Sequence, residues 1–575
     1  MPSITKHNIF SSALLCLLWL FLCTSLSYNL QAQAAATIKA QKIVYACKAW
    51  GFLKYYHPNM CCNTQWDDSL INALQYLDTA QASDNLTKEI EYLLRAASDT
   101  TMLFSLKFPL PIRDTSARSH IKLKNDIDWI HTPLISSSVQ QQLRLLSENK
   151  QPTDNFYLYT QRDQSQIPTF SNEVGTSEVL PNKYHRLLSL ARLWNFIHYF
   201  YPYKNLLETP WDSVLTEFIP QFIAVTTKKE YLAAILRLRT HLHDTHTVVN
   251  APSMWSFFGE YYLPIPLEYV EEKVVVETTN TKIGVERGDI VLTINGNPAD
   301  TLIQYFRKYL GASNDAVQYH TIVSNLLRYS QDDSVDLELL TPKGIKKISV
   351  QCPMLGSYRS PSPVPKPLVH ILDSTQKLLY IDFTQITPQQ IFQTVDTMMH
   401  YRGVVFDLRG YPEWILYAIM TQLADPTPFA FIRNPDYRMP GYVSEYYATC
   451  GFRRKYLGNI VVLVNEQTIS RAEFTAMALQ TIPGMKTVGS QTAGTDGDVR
   501  KIGLPGGITM MITGVGIYYP NKENTQRVGV RIDVIAKPTI AGIRAGRDEV
   551  LEKGVEVLRA LIKQNSTPAQ SSPRK

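Results

Sequence analysis

The sequence has no CxxC pair and only seven cysteines in 575 residues, so it offers no zinc-ligand pattern. It also lacks the long Lys/Arg runs that track a phosphate backbone. Its 57 basic and 51 acidic residues are interspersed and leave a net charge of +6, which argues against a nucleic-acid partner. After the first thirty-odd residues no apolar stretch approaches the roughly 20 residues needed to span a bilayer. No periodic or low-complexity tract is present, which excludes collagen and coiled-coil architectures. What remains is rich in core-forming residues: 45% are apolar, with 32 Tyr and 21 Phe, against 19% charged. At about 150 residues per domain, this length predicts several domains.

The N-terminus reads as an export signal. Lys6 and His7 precede an apolar run from Ala13 to Leu22, and Ala32-Gln33-Ala34 supplies a small-residue cleavage site. We expect removal after Ala34, leaving a product in the periplasm or outside the cell with no transmembrane segment. Cys16 and Cys23 lie in the signal and lack the small preceding residue that lipidation needs. That leaves Cys47, Cys61, Cys62, Cys352 and Cys450, an odd number, so at least one thiol stays unpaired. Cys47 is near enough in sequence to pair with Cys61 or Cys62.

A duplication follows. The stretch Lys42 to Pro58, then Trp66-Asp67, recurs as Leu188 to Pro202, then Trp211-Asp212. Each copy predicts an aromatic amphipathic helix stopped by proline, then a second helix that Asp67 or Asp212 can cap. The aromatic stripes fall at helical spacing and read as core. We place the first copy in residues 35–109, an irregular connector in 110–182 and the second copy in 183–250.

Residues 251–355 change to short strands. Ile283-Gly284-Val285 leads through Gly288-Asp289 to alternating apolar residues and an Asn295-Gly296 hairpin signal. This stretch resembles a PDZ domain, and the resemblance implies capture of a peptide terminus by backbone amides near Ile283, Gly284 and Val285. A small β-domain that only packs is the alternative. Beyond a proline-rich joint, 360–367, the segment 356–565 alternates strands and helices as an α/β core, and 566–575 is a polar tail.

The chemistry concentrates where the apolar strand Asn459 to Val464 runs into Ser470-Arg471-Ala472-Glu473 and a helix. Spacing alone reads Ser-x-x-Glu as a capping box. A serine at a helix start can equally be a nucleophile beside amides that steady an oxyanion. Three stretches together resemble the tail-specific, or C-terminal processing, serine peptidase family over about residues 183–565: Asn465 to Phe474, Val488 to Gly494 and Gly403 to Gly410. The resemblance implies a crotonase-like peptidase core, so that the whole is a multidomain α/β protein with helical N-terminal repeats and a PDZ-like β-rich domain. It implies protein or peptide substrates, held by their C-terminus, and no cofactor or metal.

Ser470 takes the family's nucleophile position. Many members carry a Lys in a Gly-Lys-Gly turn, but here the turn is Gly494-Thr495-Asp496-Gly497. The tricorn-like branch uses a histidine instead, and Asp244-Thr245-His246-Thr247 resembles its motif, so His246 becomes the general base. The oxyanion donors would be the amides of Arg471 and of the turn at Gly410, which reads Gly-Tyr-Pro-Glu-Trp where the family often has Asn-Pro-Gly-Gly. The third member stays open between Gln526 and its neighbours Glu523 and Asp533. A non-catalytic peptide-binding protein on the same fold is the other reading.

Overall fold

The computed structural model describes residues 37–61, 63–79, 86–98, 120–122, 127–148, 155–160, 168–173, 178–357, 368–436 and 440–566. The export signal, the proline-rich joint at 360–367, Cys62, the tail beyond Ser566 and part of the connector lie outside them. The described residues form a multidomain α/β architecture with a helical N-terminal region and several β-sheets.

The duplicated helices, 37–56 and Lys183–Phe200, each end just before a proline, which cannot extend a helical hydrogen-bond ladder. Within each copy two tryptophans close on each other. Trp50 Nε1 donates to Trp66 O at 3.0 Å and Trp66 Nε1 to Trp50 O at 3.2 Å; Trp194 and Trp211 repeat this at 2.9 and 3.0 Å. The aromatic stripes are buried and serve as core. The following helices, Trp66–Thr79 and Trp211–Ala224, start one residue before the expected caps. Asp67 and Asp212 therefore fall in the first turn, where they pair across the copies: Lys48 meets Asp212 at 2.9 Å, and Arg192 meets Asp67. The two long helices cross at Gly51, where an added Cβ would lie 1.9 Å from Asn195 Cγ, so only glycine fits. Cys47, near this crossing, is a free thiol, and burial pushes its pKa up to about 12.

The helical core does not stop at the helices. It continues onto the hairpin Val499–Leu504 and Ile508–Thr513, whose second strand pairs with Val249–Asn250. Arg192 Nη1 donates to Gly503 O at 3.0 Å, and Tyr231 Oη to Pro505 O at 3.0 Å. This shared packing carries the segment around His246 onto the α/β part.

Residues 261–351 build an antiparallel sheet in the order Gly344–Gln351, Ser334–Thr341, Ile290–Ile294, Lys273–Val276, Leu267–Val270, backed by the helices Ala299–Arg307 and Asp315–Ser324. Asn295 and Gly296 both have positive φ, 49° and 73°, as the expected two-residue hairpin requires.

The α/β part is a six-stranded sheet in chain order: Val369–Asp373, Leu378–Asp382, Gly403–Asp407, Asn459–Val464, Lys486–Gly489, Val534–Ile535. All pairs after the first are parallel. Strands 378–382, 403–407 and 459–464 are apolar on both faces because both are covered. Leu379, Val404, Phe406 and Val462 pack under the helices Ile391–Met399, Leu416–Leu423 and Arg471–Leu479, and Leu378, Val405 and Leu463 under Glu549–Ser566.

Candidate active site

The strand Asn459–Val464 ends at the carboxyl edge of the parallel sheet, the edge where α/β proteins place their sites. Thr468 fixes the loop that follows. Its hydroxyl donates to Leu408 O at 2.8 Å and accepts from Asn465 N–H at 3.0 Å. Ser470 comes next with φ 57° and ψ −118°, a conformation that costs a non-glycine residue roughly 1–3 kcal/mol. The helix begins at Arg471. Ser470 Oγ faces the Glu473 amide in capping-box fashion, yet makes no capping hydrogen bond.

Glu473 does more than cap. The fully buried carboxylate accepts from Ser470 N–H at 3.3 Å, Thr495 N–H at 2.9 Å, Gly494 N–H at 2.8 Å and the Thr492 hydroxyl. These bonds lace the turn 492–495 to Ser470, while burial still holds the Glu473 pKa above its ordinary value. Asp496 stands in the turn where the family that the sequence resembles often carries a Lys. It is buried, one oxygen accepts from Gly497 N–H at 2.6 Å, and the other has no hydrogen-bond partner among the described residues. Burial, reinforced by Glu473, pushes its pKa well up. An acid, not a cation, occupies that place. Lys486 is committed to Asp533 at 2.9 Å.

His246 follows the helix Lys228–Thr240 in a loop held by Asp244. The Asp244 carboxylate, fully buried, accepts from His246 N–H at 3.0 Å, Thr513 N–H at 3.2 Å and the Thr495 hydroxyl at 3.4 Å. His246 Nδ1 lies 2.9 Å from Thr513 Oγ1. With Nδ1–H donating to that hydroxyl, Nε2 carries the free lone pair a base needs. Burial lowers the His246 pKa below its ordinary value, against the opposing charges of Asp244 and Asp498.

Thr495 connects the two candidates. Its carbonyl accepts from Ser470 N–H at 2.9 Å, and its hydroxyl accepts from Thr245 N–H at 3.2 Å. No hydrogen bond joins His246 to Ser470 among the described residues. The other histidines lead away: His241 lies against Phe218 and His243 near Glu208.

The expected oxyanion donors lie on segments that the Arg471 side chain joins. The amides of Arg471 and Gly410 make no hydrogen bond among the described residues. Arg471 Nη1 donates to Pro412 O at 3.2 Å, and its guanidinium lies over the rings of Tyr411 and Trp414, at 5.0 and 5.2 Å. The turn is thereby drawn onto the start of the serine's helix. Arg409 anchors its base between Asp407 and Asp548, each at 2.7 Å.

The third-member candidates separate. Glu523 is exposed and pairs with Arg531, so it does not reach the cluster. Gln526 is buried beside the cluster, with Nε2 3.5 Å from Ser313 Oγ and, among the described residues, no partner for Oε1. Ser313 in turn bonds Thr245 N–H at 3.0 Å and Thr495 Oγ1. Sequence reasoning missed Thr513 and Ser313, ordinary hydroxyl residues without a motif of their own; Asp244 stood in the histidine motif and Thr495 in the turn at 494–497, but neither was given a role. Away from this cluster, the amides of Ile283, Gly284 and Val285 all donate to Asn280, at 3.4, 2.9 and 3.1 Å. They are not free to take a carboxylate. Among the described residues no group of three or more His, Cys, Asp or Glu is placed to hold a metal ion, and no helix is long and apolar enough to cross a membrane.

A scan of family models matches residues 377–536 to peptidase family S41. No curated protein sequence matches the chain. Among solved structures, mature CPAF is similar at 15% identity and TM-score 0.54, over 67% of this chain and 99% of its own. CPAF complexed with lactacystin matches at 15% identity and TM-score 0.54, over 66% and 99%. The photosystem II D1 C-terminal processing protease matches at 17% identity and TM-score 0.38, over 62% and 94%.

Proposed function

Since residues 377–536 form a domain of peptidase family S41, the family of the tail-specific proteases, we propose that this chain is an exported serine endopeptidase in which Ser470 attacks and His246 is the general base. The observation that carries the assignment is Thr495, bonded on one side to Ser470 and on the other to the loop of His246. Ser470 Oγ adds to the scissile carbonyl carbon as its proton passes to His246 Nε2. The oxyanion is held by the amides of Arg471 and Gly410. Collapse expels the amine, which takes the proton from the imidazolium, and water then hydrolyses the acyl-enzyme by the same route in reverse. The hydrogen bond between His246 Nε2 and Ser470 Oγ forms in the substrate complex, the state in which catalytic hydrogen bonds tighten.

A fluorophosphonate probe tests this. Stoichiometric labelling of Ser470, lost in Ser470→Ala and strongly slowed in His246→Ala, is expected. A wild-type protein that stays unlabelled would leave the binding-protein reading in its place.

We further take residues 251–355 as a PDZ-like domain beside a crotonase-like core. The bonds from Ile283, Gly284 and Val285 to Asn280 argue that this loop does not grip a substrate carboxylate. Two substrates differing only in C-terminal amidation should therefore be cleaved with kcat/KM within about two-fold of each other. A tenfold preference for the free acid would restore terminus capture.

A further inference from the structure

The turn that should supply one oxyanion donor carries two large aromatic residues where small ones are the family habit. Gly410 is followed at once by Tyr411 and three residues later by Trp414. Neither ring is absorbed into the core: Tyr411 is 52% and Trp414 56% exposed, and Tyr417, 6.1 Å from Trp414 between ring centroids, is 42% exposed. Exposed aromatic side chains in one contiguous patch are a binding-surface signature, because each offers a large apolar area with few rotamers to freeze.

The patch is rigid. Arg471 lies over both Tyr411 and Trp414 and bonds the Pro412 carbonyl between them, while Trp414 also stacks against Phe474 at 6.3 Å, one helical turn beyond Ser470. A flexible loop would pay ordering entropy on binding; this one is ordered beforehand. Its position relative to substrate follows from the oxyanion donors proposed above. A carbonyl oxygen shared by the Gly410 and Arg471 amides puts the side chain flanking the scissile bond next to the residues that follow Gly410.

We propose that Tyr411 and Trp414 form a specificity subsite for an aromatic or large apolar side chain flanking the scissile bond of the substrate. The subsite rests on the peptidase reading above, since the position of the oxyanion sets its place. Arg471 contributes by holding the rings, and its charge, spread over two aromatic faces, disfavours a cationic side chain at the same place.

Two peptides identical except for Phe or Ala at the flanking position test it. The wild type should cleave the Phe peptide with kcat/KM at least about tenfold higher, a ratio in the range apolar pockets achieve. Trp414→Ala should bring the ratio within about two-fold, and Trp414→Phe should keep most of it. A fall shared equally by both peptides overturns the subsite, as does a wild type without preference. Binding to Ser470→Ala separates this from failure of the catalytic reading. The Phe peptide should bind that protein about tenfold more tightly than the Ala peptide, and Trp414→Ala in the same background should remove the difference. Equal binding there overturns the subsite even if Ser470 proves catalytic, and a preserved difference supports it even if no turnover is seen.

Discussion

Replacing Ser470 by alanine is expected to reduce peptide hydrolysis by at least about 10³-fold and leave the protein folded. The loss is large because no other hydroxyl occupies the helix start, and removing a nucleophile leaves only the oxyanion hole and binding. The fold survives because Ser470 Oγ makes no capping hydrogen bond. The bonds that organise the site here run through the Ser470 and Thr495 backbones and the Glu473 carboxylate, which the substitution keeps. A second variant sharpens the test. Ser470 holds φ 57°, which glycine adopts without strain. Ser470→Gly should therefore be inactive yet no less stable than Ser470→Ala, with a midpoint of urea unfolding equal or higher. Such a residue, strained in place and dispensable for folding, is what a site selected for reactivity leaves behind. Full turnover by Ser470→Ala on an unstructured protein would return the serine to a capping role.

The parts legible in the sequence were those written in local patterns. The near-continuous apolar runs from Leu378 to Phe383, Gly403 to Leu408 and Asn459 to Val464 read in the sequence as buried strands, since both faces of such strands are covered. Asn295-Gly296 marked a hairpin because both positions need positive φ. The duplication marked two helix pairs, but not how they meet. The pairs Lys48 with Asp212 and Arg192 with Asp67 join the first copy to the second across more than a hundred residues, and Asp67 read locally as a cap. The same limit governs the site. Ser470 and His246 stood in motifs, whereas Thr513 reaches His246 from 267 residues away in sequence and sits at the end of a strand whose alternation says only that it is a strand. Glu473 was visible as a capping partner; its bonds to Gly494 and Thr495 depend on a turn that sequence could not place against the helix.

The second large effect should come from His246. His246→Ala is expected to lower kcat by about 10³-fold or more, the scale on which a serine loses its base. Alanine at Lys486 or Lys501 should leave kcat within about three-fold, because Lys486 is engaged by Asp533 and neither lysine stands in the turn 494–497. Comparable loss at either lysine, with His246→Ala near wild type, would reassign the base. The pH profile gives an independent reading. The base must be neutral to accept the serine proton, and burial disfavours the imidazolium, so the acid limb of kcat/KM should lie below the ordinary histidine value of about 6.5. Asp498 is one of the two charges that oppose this fall, so Asp498→Asn should move the limb lower still; movement upward would mean that another group titrates. Thr513 then separates holding the ring from holding the fold. Thr513→Val keeps the shape but removes the oxygen that meets Nδ1, which frees the imidazole to turn or to place its proton on Nε2. Its kcat should drop by tenfold or more with KM little changed, and Thr513→Ser, which restores the oxygen, should recover most of it. Equal losses in the valine and serine variants would make Thr513 a packing residue, and the orientation of His246 would then rest on Asp244 through the backbone alone.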